Sequence, residues 1–229
     1  MSGFDVERVL EDAVTAFAET VDVKVRQLRR FVPKAKDLTN PALTGGFIEE
    51  VVRGFVADWI GHRHLMTGTL YSERDAGQKP MQIDGIVYDP TKGPTVLREG
   101  NFGVVHPAFC DGIIEIKMTF KNYTAPKDFP GLTKLEAKLD QMHQRYLSHL
   151  PSCHVMGVVI ADDDPASIEM SDYAHTDKNP VPYNAIDTVP LKPIFILFKH
   201  KDGDFEPRLK DIENMIRAIY HLRVEQQYV

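Results

Sequence analysis

Asp111-Gly112-Ile113-Ile114-Glu115-Ile116-Lys117-Met118-Thr119 decides the fold. It reads as an apolar β-strand interrupted by two charges. Side chains alternate across a strand, so Ile113, Glu115, Lys117 and Thr119 share one face. Charge is costly to bury in apolar surroundings. An acid and a lysine there need a reason, and a divalent metal is a good one. Upstream, Met81–Tyr88 reads as another strand, with Gln82, Asp84, Ile86 and Tyr88 on one face. If the two strands are neighbours, Asp84, Glu115 and Lys117 converge on one point.

A third piece supplies a further acid. From about Gly46 to Ile60 the apolar residues pair off as Phe47/Ile48, Val51/Val52, Phe55/Val56 and Trp59/Ile60, a four-residue helical repeat. At ~100° per residue, Glu49 falls beside Val56 and Ile60 on the edge of the buried face, and Glu50 on the solvent side. Glu49 can therefore reach the point where the strands place their charges.

That set suits hydrolysis of a phosphodiester. Carboxylates match Mg²⁺ (or Mn²⁺), which takes one or two of them together with waters and phosphate oxygens. Asp84 and Glu115 are the expected metal ligands, with the carbonyl of Ile116 as another. The metal would neutralise developing charge and acidify a water. Lys117 would orient or deprotonate that water, or stabilise the charged transition state. Gln82 could hold the water from a second shell of contacts. Lys134, Lys138 and Arg145, on one helix after the lysine strand, are candidate phosphate contacts, which position a nucleic acid without reading its sequence.

The rest of the chain frames this site. Residues 4–32 read as a long amphipathic helix with Val6, Leu10, Ala13, Phe17, Val21, Val25, Leu28 and Val32 in one narrow stripe, stopped by Pro33. So narrow a stripe packs against a partner or crosses its own domain's back, and it motivates an expected homo-oligomer. Residues 34–41 read as a linker. Leu65–Ser72 is a strand, Thr95–Leu97 a short one, Leu132–Leu150 a helix, Val155–Ala161 a buried strand and Pro193–Lys199 another. A helix from Pro207 to Arg223 closes the chain, and the polar, proline-dotted stretch 162–190 is a long loop. The expected fold is α/β, a mixed central sheet flanked by helices. We read residues 1–229 as a single domain: an N-terminal helical arm (1–40), a catalytic core (45–150), and C-terminal strands, long loop and closing helix (151–229).

Composition excludes some classes. At 43% hydrophobic and 26% charged the chain reads as an ordinary globular protein. A formal net charge of -6 argues against nucleic-acid binding driven by global charge, though not against a local basic groove. The only cysteines, Cys110 and Cys153, form no framework, and both read as small buried hydrophobes. With no signal-peptide start and no bilayer-length apolar run, a cytoplasmic protein with no membrane partner is expected. His62-Arg63-His64 looks like a ligand cluster, but neighbouring side chains point apart. Asp162-Asp163-Asp164-Pro165 is better explained as a strand-ending turn.

An acid opening one strand, then acid-x-lysine on the next, resembles the PD-(D/E)XK nuclease superfamily, whose core is that of restriction endonucleases. Gly46-Phe47-Ile48-Glu49, Gln82-Ile83-Asp84-Gly85-Ile86-Val87-Tyr88-Asp89, Val105-His106-Pro107 and Ile113-Ile114-Glu115-Ile116-Lys117 resemble the DUF6602 branch, which includes the NucC-like effector nucleases of bacterial antiphage defence. The resemblance covers roughly residues 45–150. It sets Asp84, Glu115 and Lys117 at the family's catalytic positions and Glu49 at its helix glutamate. It implies Mg²⁺-dependent endonucleolytic cleavage of double-stranded DNA, a homotrimer, and response to a cyclic oligonucleotide or a defence-system partner. A non-catalytic DNA-binding or scaffold subunit, or a sequence-specific restriction enzyme, would share much of this pattern. The intact set of two acids and a lysine favours a catalyst.

Overall fold

The computed structural model describes residues 6–31, 41–73, 77–120, 134–147, 154–162, 174–175, 193–201 and 204–224. Helices α1 (Val6–Phe31) and α2 (Pro41–Trp59) lead into strands β1 (His64–Leu70), β2 (Ile83–Tyr88), β3 (Leu97–Glu99), β4 (Phe102–Val105) and β5 (Cys110–Phe120). Helix α3 (Lys134–Met142) runs on into a π turn, His143–Leu147. Strands β6 (His154–Asp162), β7 (Ala174–His175), β8 (Ile194–Lys201) and β9 (Asp204–Pro207) precede the last helix, α4 (Leu209–Val224). The strands form one mixed sheet in the order β3-β4-β1-β2-β5-β6-β8-β7, with β9 also on β8.

Alternation along the central strands divides the interior into two cores. Ile114, Ile116, Met156, Val158 and Ile160 face α1, α2 and α4. Ile113, Val155 and Val159 face the other way, onto Leu135, Leu139 and Met142 of α3. Glu115 and Lys117 share the parity of Ile113 and so belong to the α3 side.

The expected elements form, with shifted ends. Helix α2 begins at Pro41, inside the expected linker, because a proline in a helix's first turn loses no hydrogen bond. The short strand expected at Thr95–Leu97 lies at Leu97–Glu99 and pairs with β4, turning at Gly100, whose φ of 55° suits glycine. The sequence reading missed this hairpin, and β9 as well. Of the stripe on α1, Leu10, Phe17 and Val21 are buried, with Val14 and Ala18 beside them. Phe17 stacks on Phe55 of α2, ring centroids 3.8 Å apart. The described part of the arm therefore packs on its own domain. Cys110 is buried. Cys153, Asp163 to Pro165 and most of the 162–190 loop fall outside the described residues. Among the described residues, no helix is long and apolar enough to cross a membrane.

Candidate active site

Strands β2 and β5 are antiparallel neighbours, with Gly85 opposite Ile114. One further step of that register sets Asp84 against Glu115, on the same face of the sheet. The register of β2 with β1 shifts beside this point, between Met66↔Ile86 and Gly68↔Ile83. The bulge lets Ile83 and Ile86, three residues apart, enter the same core. It leaves Asp84 at the kink, a common device for re-aiming a side chain.

Two buried acids directly opposite one another repel, and cations gather on them. Lys117 Nζ donates to Glu115 Oε1 and lies 3.6 Å from Asp84 Oδ2. Lys138 Nζ reaches the same Glu115 Oε1 from α3 at 2.5 Å. The Ile116 amide donates to Asp84 Oδ2 at 2.9 Å. Glu115 Oε2 is buried and has no hydrogen-bond partner among the described residues.

The electrostatics follow from this crowding. Burial, then the Asp84 charge, pushes the Glu115 carboxyl up to about 7. Burial acts to lower Lys117, but Glu115 and Asp84 outweigh it and hold its ammonium above the usual lysine range. Glu49 is half-buried on α2, and desolvation with the nearby Asp84 raises it too. Glu50 is exposed, as the helical spacing implies.

Arg53, which the sequence reading missed, ties α2 to the acids. Its Nη1 donates to the Asp84 carbonyl at 3.0 Å and lies 3.6 Å from Glu49, and its Nη2 pairs with Glu50 at 2.8 Å. Its spacing four residues after Glu49 was the available signal. The three candidate phosphate contacts separate: Lys138 sits on Glu115, Lys134 is exposed, and Arg145 donates to the Lys79 carbonyl at 2.8 Å. Arg145 lines an open groove of about 1110 Å³ with Lys79, Met81, His106, Gln141 and Gln144. Gln82 is exposed, one residue before β2.

The donor set fits a hard cation. A buried carboxylate oxygen with no hydrogen-bond partner among the described residues, beside a second acid, is the hard anionic donor that such a cation binds. Among the described residues, no three His, Cys, Asp or Glu side chains form a ready-made metal cage. Mg²⁺ needs none, because waters and phosphate oxygens complete its shell. His62-Arg63-His64 diverges as expected: His62 lies 3.6 Å from Asp89, Arg63 pairs with Asp111, and His64 packs on Tyr88.

No protein-family model matches the chain, and no curated protein matches it in sequence. Solved structures do share its fold. The cAAA-bound NucC of E. coli MS115-1 has a TM-score of 0.56 at 14% identity, over 97% of this chain and 92% of that one. The cAAA-bound NucC of P. aeruginosa ATCC27853 has a TM-score of 0.54 at 12% identity, over the same shares. The apo form of the E. coli protein has a TM-score of 0.50 at 11% identity, over 96% and 92%. The chain has the NucC fold. The likeness runs through the C-terminal third, beyond the stretch that carries the sequence motifs.

Proposed function

We propose that this protein is a Mg²⁺- or Mn²⁺-dependent endonuclease of the PD-(D/E)XK type, cutting double-stranded DNA as an effector of bacterial antiphage defence. The observation that carries the reading is the pair of opposed acids, one with a buried and unpartnered oxygen, sharing a lysine on a fold found in NucC nucleases. Asp84 and Glu115, with the Ile116 carbonyl, would hold the cation. The cation supplies charge neutralisation at the scissile phosphate and a more acidic water.

The chain's own residues do the rest. Lys117, which touches both acids, would donate to the charge that develops on the phosphoryl oxygens or orient the attacking water. Glu49 completes the acidic rim, and Arg53 fixes both Glu49 and the Asp84 backbone. Gln82, at the mouth, can contact the attacking water or the strand. The groove beside α3, where Arg145, Lys79, Gln141 and Gln144 stand among apolar residues, would take flanking nucleotides.

The test is plasmid cleavage with Mg²⁺, with and without cAAA, the molecule bound in the NucC structures. Lys117→Ala and Asp84→Ala should each lower the rate by roughly 10²–10⁴-fold. Full activity in either variant would sink the reading. Cutting that appears only with cAAA would add a cyclic-oligonucleotide activator.

A homo-oligomer, a trimer by the same resemblance, is part of the proposal. The edge hairpin leaves Val96, Leu97 and Phe102 exposed at 61%, 59% and 45%. An apolar sheet edge is a surface that a second copy can cover. Light scattering should give a mass above the 25.9 kDa of one chain. A monomer at every concentration would remove this part.

A further inference from the structure

We propose that Lys138 is a second catalytic lysine, held on Glu115 until that carboxylate takes up a cation and then freed to meet the scissile phosphate. The inference rests on the nuclease reading and adds a residue and an order of events to it.

Two ammonium groups share one oxygen. Lys117 and Lys138 both bind Glu115 Oε1, while Oε2 has no partner among the described residues. Lys117 touches both acids, whereas Lys138 touches Glu115 alone. Lys138 arrives from a separate element, and its placement there is firm. Leu135, Leu139 and Met142 are buried on the same helix, and Lys138, partly exposed, sits at the edge of that stripe with its head on a fully buried carboxylate.

The geometry also sets what happens next. A cation on Glu115 removes the carboxylate charge that holds Lys138 and repels its ammonium. Lys138 side chain is 28% exposed, so the freed head can turn toward the open side of the site. The nearest anion there, once DNA is bound, is the phosphate under attack. Lys138 thus opposes the cation in the resting site and assists the phosphate in the loaded one.

Those two effects have opposite signs, which a simple counter-ion would not give. The probe is Mn²⁺ alone, without DNA, measured by calorimetry on wild type, Lys138→Met and Lys138→Gln. Methionine keeps the length of the side chain's stem, glutamine is shorter but keeps a neutral polar end, and thermal melts check that both variants fold. A like charge at this range is worth about tenfold, so Mn²⁺ should bind roughly tenfold more tightly to the variants. In single-turnover cleavage the same variants should be slower by roughly 10²-fold, the scale of losing one donor to developing charge. Mn²⁺ affinity that is unchanged or weaker overturns the inference, and so does tighter binding with unchanged cleavage. In both cases the nuclease reading survives if wild type still cuts and Lys117→Ala does not. A wild type that neither binds Mn²⁺ nor cuts overturns both.

Discussion

Strands β2 and β5 carry buried acids at both ends, and the two ends are built differently. At the far end Asp111 is 1% exposed, and its two oxygens are shared out, one to Arg63 Nε and one to Lys92 Nζ, each at 2.5 Å. At the near end Glu115 is equally buried, yet both its lysines crowd one oxygen and the other has none. Each end has one more sheltered and one more exposed cation, Arg63 at 2% and Lys92 at 31% at the far end, Lys138 at 28% and Lys117 at 41% at the near end. A buried acid whose oxygens are each matched to a cation is a structural pairing. A buried acid left half-matched beside cations that water reaches is poised to exchange partners. The same residue types thus do two jobs, and saturation tells them apart.

The difference predicts where mutation costs stability and where it costs activity. Asp111→Ala strips Arg63 of its carboxylate in a place where water cannot replace it. Breaking a buried pair from one side typically costs about 3–5 kcal/mol. Lys117→Ala removes a cation from a site that water reaches, so it should change stability by less than about 1 kcal/mol while abolishing cleavage. Urea unfolding of both variants, in the absence of metal, checks the contrast. A loss below about 1 kcal/mol for Asp111→Ala would show that the far cluster is not the fixed pairing described here.

Much of this contrast was hidden in the sequence. Strands β5 and β6 were legible because alternation between two cores writes a period of two into the chain. Asp84, Glu115 and Lys117 were legible because charge inside such a run is anomalous, and the observed register brings them together. The β3–β4 hairpin was not, since Val96, Leu97 and Phe102 are exposed and carry no inward–outward pattern. Asp111 looked like a strand end, because its partners are 48 and 19 residues upstream. Lys138 looked like Lys134 and Arg145, three cations on one helix. What set it apart was its place between Leu135 and Leu139, at the edge of the stripe that the helix buries. Arg53 was likewise readable only as the neighbour, one turn on, of a glutamate already under suspicion.

The sharpest use of the comparison is at Glu115, where an unsaturated acid should make the metal-free protein sensitive to pH. Folded, Glu115 keeps its proton up to about pH 7, whereas its ordinary value is 4.5. Between those values the folded state holds the extra proton, so unfolding releases it, and stability falls as pH rises. The loss is complete above about pH 7, and the shift bounds it at about 3 kcal/mol. Glu115→Gln cannot ionise and escapes the loss. It should therefore match wild type near pH 4.5 and be the more stable protein at pH 8, while cutting no DNA. A cation should restore wild type at pH 8 by binding the ionised carboxylate, and should leave Glu115→Gln nearly unmoved. Thermal melts at the two pH values, with EDTA and with Mg²⁺, give all four comparisons. If Glu115→Gln is the less stable protein at pH 8 without metal, Glu115 is already satisfied by its lysines. The near end would then be another structural pairing like the far one.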